Sequence, residues 1–161
     1  MLTMGIDQSF TSTGLVILDG KNLIHYEVIH SSKDREIVGR LQQIYQRILK
    51  LTIHFKPDHI IIEGLGFGAR GNATRDLGGL FYCIQDRLIH DLNFDSIHTV
   101  APTSLKKFAT NFGKASKQQM LEALPEDISM VFTHHYKKTK GLMDLVDGYW
   151  LAEWGQQHLH F

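Results

Sequence analysis

Leu2-Thr-Met-Gly-Ile-Asp7 decides the fold when read with Gly14-Leu-Val-Ile-Leu18, Asp19-Gly20 and Leu23-Ile-His-Tyr-Glu-Val-Ile-His30. Three short apolar runs follow one another. Asp19-Gly20, between the second and third, is a strong hairpin signal. These runs predict strands at Leu2–Asp7, Gly14–Leu18 and Leu23–His30. Further along, Ile37, Leu41, Ile44, Ile48, Leu51 and Phe55 recur at spacings of three and four, the apolar face of a helix from about Asp34 to Phe55. Lys56-Pro57-Asp58 stops it. His59-Ile-Ile-Ile-Glu63 is a short apolar run after a helix, which predicts a buried parallel strand. A glycine-rich loop from Gly64 to Gly71 follows. The sequence then predicts a helix from Ala73 to His90 and a strand from Ser96 to Val100. Pro102 suits the first turn of another helix, and Ser116–Leu124 and Gly141–Trp154 also read as helical. The order predicts an α/β fold. Its mixed five-stranded sheet has three antiparallel strands, then parallel strands joined through flanking helices.

A chain of 161 residues is one domain, 1–161, by default. It is 43% hydrophobic and 21% charged, an ordinary globular composition that excludes intrinsic disorder. No apolar run approaches the ~20 residues of a membrane span, so no membrane partner is expected. The first residues have neither a basic nor an apolar leader pattern, so secretion is not expected. Cys83 is the only cysteine, which excludes a disulfide framework and a cysteine-based zinc site. The net charge is zero, but its distribution is uneven. Residues 97–140 carry seven lysines against Glu122, Glu126 and Asp127, and residues 141–161 carry only the acids Asp144, Asp147 and Glu153. Neutrality argues against a general nucleic-acid coat protein and leaves room for a local phosphate-binding face.

Four acids stand in unusual places. Asp7 and Glu63 each end a predicted strand, and ligand sites of open α/β sheets cluster beyond the carboxyl ends of strands. Asp144 and Asp147 lie three apart on a predicted helix, so both point from one face. That helix is otherwise apolar (Leu142, Met143, Leu145, Val146, Tyr149, Trp150, Leu151), and no Lys or Arg follows Lys140. Buried carboxylates are costly unless paired with cations or metal. Asp7, Glu63, Asp144 and Asp147 together suggest a hard, oxygen-only site for two Mg²⁺ ions, with Mn²⁺ as a substitute. Two such ions about 4 Å apart suit phosphodiester hydrolysis. The alternative is that Asp7 caps a turn, Glu63 pairs with Arg70 or Arg75, and the last two acids face water.

Gly5-Ile6-Asp7 with Thr13-Gly14, then Ile61-Ile62-Glu63, then Asp144-Leu-Val-Asp147, resembles the RuvC family of Holliday junction resolvases. The resemblance runs over nearly the whole chain. It includes Leu77-Gly78, Ala101-Pro-Thr-Ser-Leu-Lys106 and Gly113-Lys-Ala-Ser-Lys117. It implies an RNase H-like fold, a homodimer, and Mg²⁺-dependent cutting of opposing strands of a four-way DNA junction. It makes Asp7, Glu63, Asp144 and Asp147 the metal ligands, and gives Lys117 and Lys106 the roles of basic residues that serve catalysis and phosphate binding. It also implies a cytoplasmic protein of a bacterial or phage-infected cell. The chain departs from the pattern in three places. Gln8-Ser9 stands where the family has Pro-Gly, and Gly148 where it has alanine. Gly66 takes the place of the junction-wedging aromatic, with Phe67 one residue later.

The glycine-rich loop lacks the Lys-Ser/Thr of a P-loop, so a DNA-facing role for Phe67 and Arg70 is the stronger reading. Arg75 is a further candidate contact. Lys106, Lys107, Lys114 and Lys117 interleave with Phe108 and Phe112, which suits phosphate contact. Lys137, Lys138 and Lys140 extend the strip toward the acidic helix. The ten histidines read as structural or solvent-facing, with His158 and His160 in a terminal tail, and Cys83 as core. Three other functions are consistent with parts of the pattern: a general branched-DNA debranching nuclease, a non-catalytic junction-binding protein, and an ATP-dependent phosphotransferase of the actin and sugar-kinase superfamily. The last rests on Gly5–Gly14, which resembles that superfamily's first phosphate loop, but 161 residues supply one of the two large domains it needs.

Overall fold

The computed structural model describes residues 1–66, 70–137 and 140–160, with Lys140 as backbone only. Its strands are β1 (Leu2–Asp7), β2 (Thr13–Asp19), β3 (Asn22–Ile29), β4 (His59–Glu63) and β5 (Ile97–Val100). Its helices are α1 (Ile37–Phe55), α2 (Asn72–Leu92), α3 (Pro102–Thr110), α4 (Lys117–Glu122), α5 (Glu126–Tyr136) and α6 (Lys140–His158). The sheet order is β3-β2-β1-β4-β5. β1–β2 and β2–β3 pair antiparallel, while β1–β4 and β4–β5 pair parallel. The expected mixed sheet is therefore present. Asp19 faces Asn22 across the predicted hairpin, and Gly20 adopts the positive φ of 58° that this turn needs.

The period of two along each strand sorts side chains into two cores. Met4, Ile6, Leu15, Ile17, Ile60 and Ile62 face α1 and α2, where Ile44, Ile48, Leu80, Ile84 and Leu88 complete one layer. Val16, Leu18, Ile61 and Val100 face the other way, onto α6. The outer side of α6 is covered by α3, α4 and α5. Helix α6 is thus buried all round from Leu142 to Ala152 apart from half-buried Met143, which is why its sequence is apolar on every face.

Several expectations need correction. Helix α1 starts at Ile37 rather than Asp34, and Ile37 is 40% exposed, so it is not core: the first turn of α1 precedes its contact with the sheet. Helix α6 extends four residues past Trp154, so His158 lies in a helix and bonds the Trp154 carbonyl. Cys83 is half-buried rather than core. Helix α5 is not expected from the sequence at all. Among the described residues, no helix is long and apolar enough to cross a membrane.

Candidate active site

The alternation that sends Met4 and Ile6 toward α1 places Asp7 on the opposite face, toward α6. The same rule puts Glu63 on the α6 face, because Ile60 and Ile62 point the other way. β1 and β4 pair in parallel with Ile6 beside Ile62, so Asp7 and Glu63 leave the ends of adjacent strands side by side. Gln8 ties the two ends together, its Nε2 donating to the Glu63 carbonyl at 2.9 Å. A proline at this position would have no side-chain donor to do this.

Helix α6 supplies the other two acids, and two glycines let it come close enough. A Cβ on Gly14 would lie 2.1 Å from the Asp144 carbonyl oxygen, and one on Gly5 would lie 2.0 Å from the Gly148 carbonyl oxygen. Helix backbone therefore rests directly on strand backbone at both sites. Thr3 Oγ1 donates to the Ala152 carbonyl at 2.9 Å, and Gln156 Nε2 reaches the carbonyls of Met1 and Leu18, which fixes the far half of the helix. Asp144 and Asp147 are consequently buried, at 3% and 8% exposure, and Asp7 is at 8%. They neither cap a turn nor face water, so the bland alternative fails for them. Arg75 pairs with its neighbour Asp76 at 3.1 Å, not with Glu63.

The four acids form one electrostatic site. Burial raises the Asp7 carboxyl well above its ordinary range, and the charges of Glu63, Asp147 and Asp144 raise it further. Burial, then Asp147, pushes Glu63 from 4.5 to about 7. Burial also raises Asp147, while Lys117 opposes the rise. Lys117 Nζ lies 3.5 Å from Asp147 Oδ2. Lys106 acts on Glu63 and Asp147 in the same direction as Lys117. Asp144 accepts a short hydrogen bond from Ser12 Oγ, and Ser12 is itself only 2% exposed. Sequence reading misses Ser12. Its signal is a small hydroxyl residue just before Thr13-Gly14, visible only once α6 is known to lie over this loop.

Lys117 owes its place to a helix cap. Ser116 Oγ accepts from the Gln119 N–H at 3.1 Å, and Gln119 Oε1 accepts from the Ser116 N–H at 2.8 Å, a complete capping box. Trp150 Nε1 of α6 donates to the Met120 carbonyl of α4 at 3.1 Å. One turn back from Met120 is Lys117, and one turn back from Trp150 is Asp147, so this bond and the ion pair share a register.

The remaining candidates are scattered. Lys107 and Lys114 are exposed, on α3 and the loop after it. Phe108 packs edge-on against Trp150 as core, while Phe112 is 53% exposed. Lys137 lines a groove with Gln118, Leu121, Thr133, Leu142 and Met143. Arg70 is exposed beyond the end of β4. Phe67, Lys138 and the side chain of Lys140 lie outside the described residues.

Among the described residues, no three His, Cys, Asp or Glu side chains converge on a point that would hold an ion as they stand. The donor chemistry nevertheless fits a hard divalent cation. The carboxyls are all oxygen donors, and the charges of Glu63, Asp147 and Asp144 raise Asp7 while that of Asp147 raises Glu63, a concentration of negative charge that a divalent cation would offset.

The chain has relatives in sequence and in fold. A RuvC crossover junction endodeoxyribonuclease of Petrotoga mobilis is 29% identical over 132 residues, covering 77% of each chain. One from Caldicellulosiruptor saccharolyticus is 28% identical over 130 residues, covering 74% of each. Thermus thermophilus RuvC in complex with Holliday junction substrate superposes with a TM-score of 0.69 at 20% identity, over 94% of this chain and 90% of that one. The fowlpox virus resolvase in complex with substrate Holliday junction DNA gives 0.60 at 15%, over 98% and 97%. No family model matches the chain. In sequence and in fold the chain is similar to RuvC-type Holliday junction resolvases, and its fold is RNase H-like.

Proposed function

We propose that this chain is a structure-selective endodeoxyribonuclease that resolves four-way DNA junctions. The observation that carries the proposal is the assembly of Asp7, Glu63, Asp144 and Asp147 at the carboxyl ends of β1 and β4 beneath α6, with Lys117 bonded to one of them. The similarity to RuvC resolvases over three quarters of the chain supports it.

Asp7, Glu63, Asp144 and Asp147 would hold two Mg²⁺ ions, with Mn²⁺ as a substitute. When bound, such ions supply an acidified water and offset charge on the leaving oxygen. The protein's own part is positional. Ser12 hydrogen-bonds one Asp144 oxygen and so fixes the orientation of the carboxylate. Gln8 holds the end of β4 against β1 and thereby sets the spacing of Asp7 and Glu63. Lys117 neutralises Asp147 in the free protein. With the scissile strand bound, its ammonium is placed to meet a phosphate oxygen or the departing oxygen. Lys106, Lys107, Lys114 and Lys137 supply sequence-independent backbone contacts, with Lys138 and Lys140 continuing the strip. Phe67, Arg70 and Arg75 engage the junction from the glycine-rich loop and the start of α2. The enzyme acts as a homodimer, so that two such sites face opposing strands. The exposed side of α2, with Tyr82 at 66% and Ile89 at 50%, is the proposed contact between copies.

The assignment is tested with Asp7→Asn. A labelled four-way junction in Mg²⁺ should be cut by the wild type and left intact by the variant, while both retard the junction in a gel. Cutting by the variant at the wild-type rate would refute the site. Retardation without cutting by the wild type would favour a junction-binding protein.

A further inference from the structure

A second cluster of metal-ligating atoms lies on the same face of the sheet as the acidic site but at the other end of β4. His59 is the first residue of β4, four residues before Glu63, and so about 13 Å from it along the strand. His98 lies on the edge strand β5, where its backbone pairs with Ile61. Both side chains face α6: His59 shares the parity of Ile61, and His98 that of Val100. His59 Nδ1 lies 3.3 Å from His98 Nε2. Ser96 Oγ lies 2.5 Å from the first nitrogen and 3.5 Å from the second.

From this geometry we infer that His59 Nδ1 and His98 Nε2, with Ser96 Oγ beside them, form a site for a borderline-soft divalent cation of the Zn²⁺ type. Two imidazoles on one tetrahedral ion, with Zn–N of about 2.0–2.1 Å, set their nitrogens about 3.3–3.4 Å apart and their ring centroids about 5.2–5.3 Å apart. The observed separations are 3.3 Å and 5.2 Å. A direct linear N–H···N bond of the same length would push the centroids further apart, to about 5.6 Å, because both rings would then lie on the line of the bond. The rings instead splay as two ligands of one ion do. Ser96 Oγ sits 2.5 Å from His59 Nδ1, well inside the roughly 3.3–3.4 Å edge of a tetrahedral site, so the two histidines are the ligands and the serine hydroxyl turns away as the ion binds.

The ligand type separates this site from the acidic one. Imidazole favours Zn²⁺, Ni²⁺ or Cu²⁺, whereas a carboxylate set favours Mg²⁺ or Mn²⁺. All three residues are half-buried, so water completes the coordination. The ion would clip the start of β4 to the edge strand β5, joining residues 39 apart in the chain. The inference does not depend on the nuclease reading.

Calorimetry of the full chain with ZnCl₂ tests it, in buffer holding millimolar Mg²⁺ so that the carboxylates are occupied. The wild type should bind one Zn²⁺ per chain, with heat that Mg²⁺ does not suppress. His59→Gln and His98→Gln should each weaken binding by about tenfold or more, while the His134→Gln/His135→Gln control leaves it unchanged. Imidazole ¹⁵N spectra of the wild type supply a readout that needs no variant: His59 Nδ1 and His98 Nε2 should both shift on adding Zn²⁺. No Mg²⁺-resistant binding, binding unchanged in both single variants, or shifts confined to other histidines would each overturn the assignment. Junction cleavage measured in the same samples remains a separate result.

Discussion

Burial and the charge of Asp147 push Glu63 from 4.5 up to about 7, and Asp7 and Asp147 move in the same direction. A folded carboxyl that titrates above its unfolded value keeps its proton where the unfolded chain has already lost it. For Glu63, the contribution to stability is full below about pH 4.5 and is lost as the pH rises through about 7. The metal-free chain should therefore melt at a lower temperature at pH 8 than at pH 6. Adding Mg²⁺ at pH 8 should recover the difference, and adding it at pH 6 should release protons as the acids ionise onto the ion. Thermal melts at the two pH values with and without Mg²⁺ check this, and a metal-free melting temperature that rises from pH 6 to pH 8 would contradict it. Ser12 gives a second prediction at this scale. Ser12→Ala removes the donor to Asp144 and should slow junction cleavage by about 10–100-fold, with binding in a gel unchanged. Single-turnover rates measure the loss.

The elements matter because α6 can deliver its two acids only by lying on bare strand backbone. A methyl at Gly14 or Gly5 would meet helix carbonyl oxygens near 2 Å, and backbone has no rotamer with which to give way. Gly14→Ala should cost several kcal/mol or abolish folding. Gly39→Ala, where a Cβ meets only the Arg35 side chain at 3.5 Å, should instead stabilise α1 by roughly 0.5–1 kcal/mol. Urea denaturation of the two variants compares them directly. The capping box of α4 makes a milder case. Ser116→Ala should cost about 1 kcal/mol and lower the cleavage rate by loosening Lys117. Elements with a strong period were legible in the sequence, as the sheet strands and the spacing of Asp144 and Asp147 show. Helix α5 was not, because its apolar face is short, Ile128, Val131, Phe132 and Tyr136, and His134 and His135 interrupt its last turn. The contact of Ser12 with Asp144 spans 132 residues, so no local pattern could announce it.

At the scale of the whole molecule, the sheet and α6 together form a platform that holds one acidic centre at one end. Lys106 of α3 and Lys117 of α4 flank that centre, and the glycine-rich loop follows β4. The proposed site gives each chain one reaction centre, and resolving a four-way junction takes two cuts. The proposed homodimer predicts a molar mass in solution about twice the 18.4 kDa of the chain, measured by light scattering, and paired cuts in opposing strands. The most direct test of the account offers labelled four-way junction, Y-junction, flap and linear duplex to the wild type and to Asp144→Asn, in Mg²⁺, Mn²⁺ or Ca²⁺. The account predicts paired, symmetric cuts in the four-way junction with Mg²⁺ and Mn²⁺, lost in the variant and absent in Ca²⁺. Equal cutting of every branched substrate would contradict junction resolution and indicate a debranching nuclease. Cutting by Asp144→Asn at the wild-type rate would contradict the site itself.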